Sequence, residues 1–349
     1  MGKVITLDDI ARASKVSAST VSLVLRDKPG IPAGTRKRVL SAAKSLGYQK
    51  KVHSPGKKQG HTAHGGRILN IGIVIKSESG FTPEMNPFYS QVLIGIEEAC
   101  RKRNMNLLFA TISVNADNIP LEIPHILSEH RTDGFLLVGA FLDETLAHVL
   151  GEKPPPFVLV DAYTKFDRYD AVLSDNFHGA YSAVEHLIRH GHQKIGIIGS
   201  NPNAYPSFLE RRSGYLAALR DNKITKAFLG DCHYDNDQIS HTTEALLRKN
   251  PEITALFGVN DHATILALRI AQTMGKKVPE DISLIGFDDI DFAKHVIPSL
   301  TTMHVDKLGM GRMAVQMLTN RIEFPDSEQI ITVLKPSLVV RESTKMLGA

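Results

Sequence analysis

Several features are missing from this sequence of 349 residues, and each absence excludes a class of protein. Tryptophan is absent, and cysteine occurs only at Cys100 and Cys232, too few for a disulfide framework and without metal-ligand spacing. No apolar run approaches the roughly 18 residues that span a bilayer, and the first residues lack the apolar core of a secretion signal. We therefore expect a cytoplasmic protein that does not enter a membrane.

The motifs of common enzymes are missing as well. The sequence has no glycine-rich phosphate loop, no nucleophile elbow and no paired catalytic carboxylates. His53, His61 and His64 lie in a glycine-rich segment, where spaced histidines are typical of a solvated surface and not of a metal site. We expect no catalytic residues, no cofactor and no bound metal, although an oxidoreductase and a sugar-transport protein stay open as alternatives.

Charge is distributed very unevenly along the chain. Residues 1–67 contain fourteen lysines and arginines against three aspartates, a net charge of +11, whereas the remaining 282 residues have a net charge of −7. Such polarity indicates a basic module that binds a polyanion and a body with another task. Neither alternative gives the basic segment a role.

Apolar residues in the first fifty positions recur at helical spacing, which predicts three short helices and a domain over residues 1–48. Thr6 is placed to cap the first helix, Ser17 the second, and Pro32 precedes the third. Two short helices joined by a tight turn, with small polar residues on the second, are typical of a helix-turn-helix that lies in the major groove of DNA. A plain three-helix bundle is the alternative, and the charge of +11 favours DNA binding.

Residues 49–67 are rich in Lys, His, Gly, Ser and Pro and predict a flexible linker. From residue 68 to 349, β-branched runs alternate with helical patterns. This alternation predicts an α/β core of doubly wound parallel sheets, with enough residues for two lobes.

A set of short motifs runs along the whole chain: Leu7-x2-Ile10-Ala11, Val16-Ser17-x2-Thr20-Val21-Ser22, Leu46-Gly47-Tyr48, Gly191-His192, Asn260-Asp261, Ile282–Asp289 and Leu300-Thr301-Thr302. Together these motifs resemble the LacI/GalR family of bacterial transcription regulators, and the similarity covers nearly the whole chain. The resemblance implies an all-α helix-turn-helix head, a hinge, and a two-lobed periplasmic-binding-protein-like core that closes on a small effector, usually a sugar or a nucleobase derivative. It implies lobe 1 at about 68–162 and 300–325, and lobe 2 at about 163–299 and 326–349.

The resemblance also implies which residues contact DNA. Base-reading positions fall on Ala18, Ser19 and Leu23, and the residues expected nearer the phosphates or at the helix starts are Thr6, Ser17, Thr20, Ser22, Arg36 and Lys37. Many relatives have Arg at the position of Leu23. The leucine side chain could meet a thymine methyl or no base at all, and the alternative is that it packs in the helix bundle. The implied partners are double-stranded operator DNA, a small-molecule effector of the sugar or sugar-derivative class, and a second copy in a homodimer, with a tetramer as the alternative.

Polar residues at the carboxyl ends of parallel strands are where open α/β sheets bind ligands. Asp161, Asn260 and Asp288 follow or end such strands, and Arg211 matches the effector-binding arginine of the family. An arginine fork with carboxylate and amide acceptors suits vicinal hydroxyls. The expected effector contacts are Asn86, Phe88, Asp161, Arg211, Asn260 and Asp288, and the alternative is that the Asp and Asn residues only cap helices.

The hinge departs from the family pattern. A leucine that wedges into the minor groove is expected there, but the corresponding position is Lys57, preceded by Pro55 and Gly56, which oppose a helix. We therefore expect an extended basic tether.

Overall fold

The computed structural model describes residues 6–25, 31–46, 68–77, 86–115, 119–128, 131–139, 143–150, 154–164 and 169–348. The linker at 49–67 lies outside these residues. Internal contacts divide the chain into two compact units, residues 1–66 and 67–349, and each is described by itself.

The first unit contains three helices, as the periodicity predicted: α1 (Leu7–Ser14), α2 (Ala18–Leu25) and α3 (Ala33–Ser45). Thr6 caps α1, because its hydroxyl accepts from the backbone N–H of Asp9 while the Asp9 carboxylate accepts from the backbone N–H of Thr6. Lys15 ends α1 in the left-handed conformation, with φ of 54°. Apolar side chains from all three helices form a small core, among them Ile10, Val21 and Val39, each fully buried.

The second unit contains two six-stranded sheets, each covered by helices. Its helices are α4 (Pro87–Lys102), α5 (Asp143–Val149), α6 (Asn176–Arg189), α7 (Pro206–Asp221), α8 (Asn236–Lys249), α9 (Asp261–Thr273) and α10 (Lys307–Glu323). Its strands are β1 (Asn70–Ser77), β2 (Asn106–Ser113), β3 (Gly134–Val138), β4 (Phe157–Val160), β5 (Asp170–Ser174), β6 (Ile195–Ser200), β7 (Phe228–Asp231), β8 (Ala255–Gly258), β9 (Ser283–Asp288), β10 (Thr301–His304), β11 (Ile331–Leu334) and β12 (Ser337–Val339).

The first sheet has the order β11-β5-β4-β3-β1-β2, and the second has the order β12-β10-β9-β8-β6-β7. All pairs are parallel except β10 with β12. Central strands such as β3, β4 and β6 are buried along their whole length, because helices cover both faces of a parallel sheet. The α/β class and the two lobes were predicted from this alternation.

Three strands lie in a different lobe from the one predicted. The predicted boundaries place 170–174 and 331–334 in lobe 2 and 301–304 in lobe 1. In the structure β5 and β11 belong to the first sheet and β10 to the second. The chain therefore crosses between the lobes at 174–176, 304–307 and 334–337. Those boundaries are wrong because strand pairing joins segments far apart in sequence, such as Ile331 with Ala171, and no local pattern reveals it.

Candidate functional site

The second helix of the head begins with a side-chain cap and carries an exposed apolar side chain. Ser17 caps α2, since its hydroxyl accepts from the backbone N–H of Thr20 at 3.2 Å and is bonded to the Thr20 hydroxyl at 2.8 Å. The Leu23 side chain is 43% exposed, whereas Val24 beside it is 3% exposed. Leu23 is therefore not part of the helix-bundle core, and its contact with a base stays a prediction.

The other predicted head residues lie on the three helices. Ala18, Ser19 and Ser22 are on α2, and Arg36 and Lys37 are on the first turns of α3. Lys37 is exposed and Arg36 is half-buried. Thr6 is occupied by its capping box, and its hydroxyl also donates to the Asp9 carboxylate at 2.7 Å.

In the core, the predicted arginine is held by three different partners. The Nε of Arg211 on α7 donates to Oδ1 of Asn176 at 2.7 Å, and Nη1 donates to the carbonyl of Val259 at 2.7 Å. Nη2 lies 3.0 Å from Oδ1 of Asp288. The guanidinium also stacks 3.9 Å from the centre of the Phe287 ring. These contacts use three of the five N–H groups and fix the plane of the guanidinium.

Asp288 is the last residue of β9 and forms the acidic side of this site. Its backbone has φ of 107°, a conformation rare for a residue with a side chain, which indicates local strain at the end of this strand. Burial raises the pKa of Asp288, and the charges of Arg211 and Lys307 oppose the rise. The pair of Arg211 and Asp288 is nearly neutral as a unit.

Asp161 follows β4 and supplies a second carboxylate. Its Oδ2 accepts from the hydroxyl of Tyr89 at 2.9 Å, and its φ is 56°. Its Oδ1 is buried and has no hydrogen-bond partner among the described residues. Burial raises the pKa of Asp161 to about 6, against the opposing effects of Arg211 and of the Tyr89 hydroxyl. A buried acceptor without a partner calls for a donor, which a water molecule or a ligand can supply.

The two predicted asparagines act as helix caps. Oδ1 of Asn86 accepts from the backbone N–H of Phe88 at 3.0 Å, at the start of α4. Oδ1 of Asn260 accepts from the backbone N–H of Ala263 at 2.9 Å, and its Nδ2 donates to the Tyr234 hydroxyl. Phe88 is 7% exposed and packs in the core against the edge of Tyr89. Both asparagine side chains therefore cap helices, as the alternative interpretation predicted.

Four residues that sequence reasoning missed complete the cluster: Tyr163, Asn176, Glu210 and Lys307. The ammonium of Lys307, at the start of α10, donates to the carbonyls of Asp288, Asp289 and Val305. Burial lowers the pKa of Lys307, and the nearby aspartates oppose this effect. Asn176 lies two residues after the end of β5, at the first position of α6, and such a strand-end position could have indicated a polar residue of the cluster; the others carry no signal in the sequence.

Two family models match the sequence. The model of bacterial regulatory proteins of the lacI family matches residues 6–51, and that of the periplasmic binding protein-like domain matches residues 184–344. The chain is 30% identical over 347 residues to the HTH-type transcriptional repressor PurR of Aliivibrio salmonicida, over 98% of this chain and 99% of that protein. The chain belongs to the LacI family.

Further relatives agree with this membership. The chain is 30% identical to the ribose operon repressor of Haemophilus influenzae, over 97% of this chain and 98% of that protein. The structure of the transcriptional regulator CelR in complex with cellobiose superimposes with a TM-score of 0.69 at 27% identity, over 97% of this chain and 99% of that one. As a LacI-family protein, the chain is a DNA-binding transcription regulator with an effector-binding core.

Two further observations concern what the described residues contain. No helix within the described ranges is long and apolar enough to cross a membrane. Nor do these ranges contain a group of three or more His, Cys, Asp or Glu side chains that could hold a metal ion.

Proposed function

We propose that this LacI-family protein is a repressor whose operator affinity is set by a small, uncharged, hydroxyl-rich effector bound at Arg211 and Asp161. The observation that carries the proposal is the buried Oδ1 of Asp161, which accepts no hydrogen bond from the described part of the chain. A buried carboxylate oxygen left without a hydrogen-bond donor is destabilising, so a ligand that donates to it gains affinity. A sugar hydroxyl can donate to this oxygen and accept from the free N–H groups of Arg211.

The charges around the site favour an uncharged effector. Arg211 is already paired with Asp288, so it offers hydrogen bonds but little net attraction for an anion. Asp161 is close enough to Arg211 and Glu210 for their charges to act on its pKa. A phosphate group would therefore meet an additional acid without an unpaired arginine to offset it. Relatives named for ribose and cellobiose are consistent with this class of ligand.

We further propose that the protein acts as a homodimer in the cytoplasm, on a near-palindromic operator, and carries out no catalysis. A single head of three short helices covers one half-site, and two heads related by a two-fold axis read two half-sites about one helical turn apart. The net charge of +11 over residues 1–67 supplies the phosphate contacts that position the heads.

A calorimetric titration tests the effector class. Purified protein is titrated with D-ribose, cellobiose, D-ribose 5-phosphate, hypoxanthine and guanine, and each titration is repeated with Asp161→Ala. We expect a neutral sugar to bind the wild type and to bind Asp161→Ala about tenfold or more weakly, because one charge-assisted hydrogen bond is lost.

Asp291→Ala is the matched control, since that carboxylate is 74% exposed and pairs with Lys294 on the surface. Tighter binding of the phosphate ester than of the free sugar would contradict the proposal. If only hypoxanthine or guanine binds, the effector is a nucleobase and not a sugar.

A further inference from the structure

The hydroxyl of Tyr163 connects the two lobes. Tyr163 follows β4 and belongs to the first lobe. Its hydroxyl donates to Oε2 of Glu210 on α7 at 3.1 Å and accepts from Nδ2 of Asn176 on α6 at 2.6 Å. Both partners belong to the second lobe, because α6 and α7 pack together and α6 contacts β9 and β10. One first-lobe hydroxyl therefore makes two hydrogen bonds across the gap between the lobes.

The same contacts lead to the arginine of the effector site. Asn176 is fully buried, and while its Nδ2 donates to Tyr163 its Oδ1 accepts from Nε of Arg211 at 2.7 Å. Because the amide group is rigid, the direction in which Asn176 presents its oxygen is tied to the position of the Tyr163 hydroxyl. Nδ2 of Asn176 also donates to the carbonyl of Ser174 at 3.2 Å, so the Tyr163 hydroxyl and this carbonyl together set which way the amide faces, and Asn176 orients the guanidinium.

Tyr163 keeps this dual role over the physiological pH range. Burial raises the pKa of Tyr163, and the negative charges of Asp161 and Glu210 raise it further, so the phenol stays protonated and remains a donor. The residue also lies two positions after Asp161, the other effector contact. A shift of this segment relative to α7 would move Asp161 and would break the hydrogen bonds through which Tyr163 acts on Arg211.

We propose that Tyr163 is a positioning residue of the effector site, which orients Arg211 through Asn176 and holds the two lobes in register. The proposal rests on the effector site described under Proposed function. A tyrosine with a purely structural role would support the fold of its own lobe, whereas this one acts across the lobes, on their separation and on Arg211.

The first experiment needs no effector. Spin labels are placed at two exposed positions, Ala147→Cys on α5 and Asp237→Cys on α8, one in each lobe. The native thiols stay unlabelled, because Cys100 and Cys232 are buried and burial raises the pKa of Cys100 to about 11. Pulsed electron resonance then gives the distribution of inter-lobe distances in the wild type, Tyr163→Phe and Tyr169→Phe.

Tyr169→Phe is the matched control, since its ring packs on Phe157 within the first lobe and its hydroxyl makes no hydrogen bond among the described residues. We expect Tyr163→Phe to broaden the distance distribution and shift it to longer distances, while Tyr169→Phe leaves it unchanged. Glu210→Gln weakens the same hydrogen bond from the second lobe, and we expect it to cause a smaller shift of the distance distribution. Equal distributions in Tyr163→Phe and wild type, or equal shifts in both tyrosine variants, would overturn the proposal.

A second measurement addresses Arg211 directly. With the sugar that binds the wild type in the calorimetric titration, Tyr163→Phe is expected to weaken binding about tenfold, with the urea midpoint of the effector-free protein close to that of Tyr169→Phe. In the double variant Tyr163→Phe/Arg211→Lys, the fold-loss of sugar affinity is expected to be smaller than the product of the two single fold-losses, since both changes act on one contact. Fully multiplicative losses would count against positioning. If none of the ligands binds, the proposed effector class fails, and the distance measurement alone decides the role of Tyr163.

Discussion

Nη2 of Arg211 lies 3.0 Å from Oδ1 of Asp288, and the two side chains are only 4% and 9% exposed. The desolvation of such a pair costs much of its attraction, so the pair contributes little net stability. Its consequence is geometric, because it holds the guanidinium in one plane at the carboxyl end of β9. The arrangement prepares a rigid donor for an effector.

We predict that Arg211→Lys weakens effector binding roughly tenfold or more while operator binding persists. A lysine keeps the positive charge beside Asp288, but a single ammonium cannot serve Asn176, Val259 and the effector together. Calorimetry with the bound sugar and a gel-shift assay with a selected operator measure the two activities.

Arg212→Lys is the control, because this neighbouring arginine pairs with Asp231 away from the cluster. Arg211→Ala is expected to abolish the effector response altogether. If effector affinity in Arg211→Lys equals that of the wild type, Arg211 does not contact the effector.

Asp161 is expected to make the stability of the effector-free protein depend on pH. Its pKa rises from 3.8 to about 6 on folding, so the folded state favours the neutral acid. This contribution is fully present below about pH 4 and is lost as pH rises through 6, by up to about 3 kcal/mol. Asp161→Asn should therefore gain stability relative to the wild type between pH 4 and pH 7.

Urea unfolding at pH 4, 5, 6 and 7 measures this difference, with Asp291→Asn as the exposed control. A difference between Asp161→Asn and wild type that is the same at every pH would show that Asp161 titrates normally. Bound sugar is expected to reduce the difference, because a donor to Oδ1 stabilises the ionised carboxylate.

For the head, we predict that Ser19→Ala and Lys37→Ala have different effects. Ser19 is assigned to base reading, so its change should alter the preference at one operator position. Lys37 is exposed on α3 and assigned to phosphate, so its loss, like that of Arg36, should weaken binding to all sequences and reduce the salt dependence. Site selection from random DNA at two salt concentrations distinguishes the two effects. The placement of α2 in the groove is wrong if both variants behave alike.

The features predicted from the sequence are those with local causes. Thr6 and Ser17 are within three residues of the groups they cap, so their roles could be inferred from spacing. Strand ends could be recognised because a buried apolar run stops at a polar residue, as at Asp288. The match of Arg211 came from resemblance and not from any local pattern.

The missed features depend on contacts between distant residues. Tyr163 meets Glu210 across 47 positions, and β11 pairs with β5 across about 160. Asn260 was recognised from the sequence, but its role was not. A residue at a strand end can bind a ligand or cap the next helix, and its contacts with Ala263 and Tyr234 became clear only from the folded structure.

The last prediction concerns the linker, which lies outside the described residues. Where the family pattern has an apolar wedge, this chain has Lys57, and Lys50, Lys51 and Lys58 surround it. Unstacking a base step costs a few kcal/mol and requires an apolar side chain that enters the duplex. An extended basic segment instead tracks phosphates and leaves the operator nearly straight. Effector control must then act through the spacing of the two heads, which gives a smaller difference between the bound and released states. A fluorescence energy-transfer assay on operator DNA labelled at both ends measures the bend, and a sharp central kink would refute the tether and point to Val52 as the wedge.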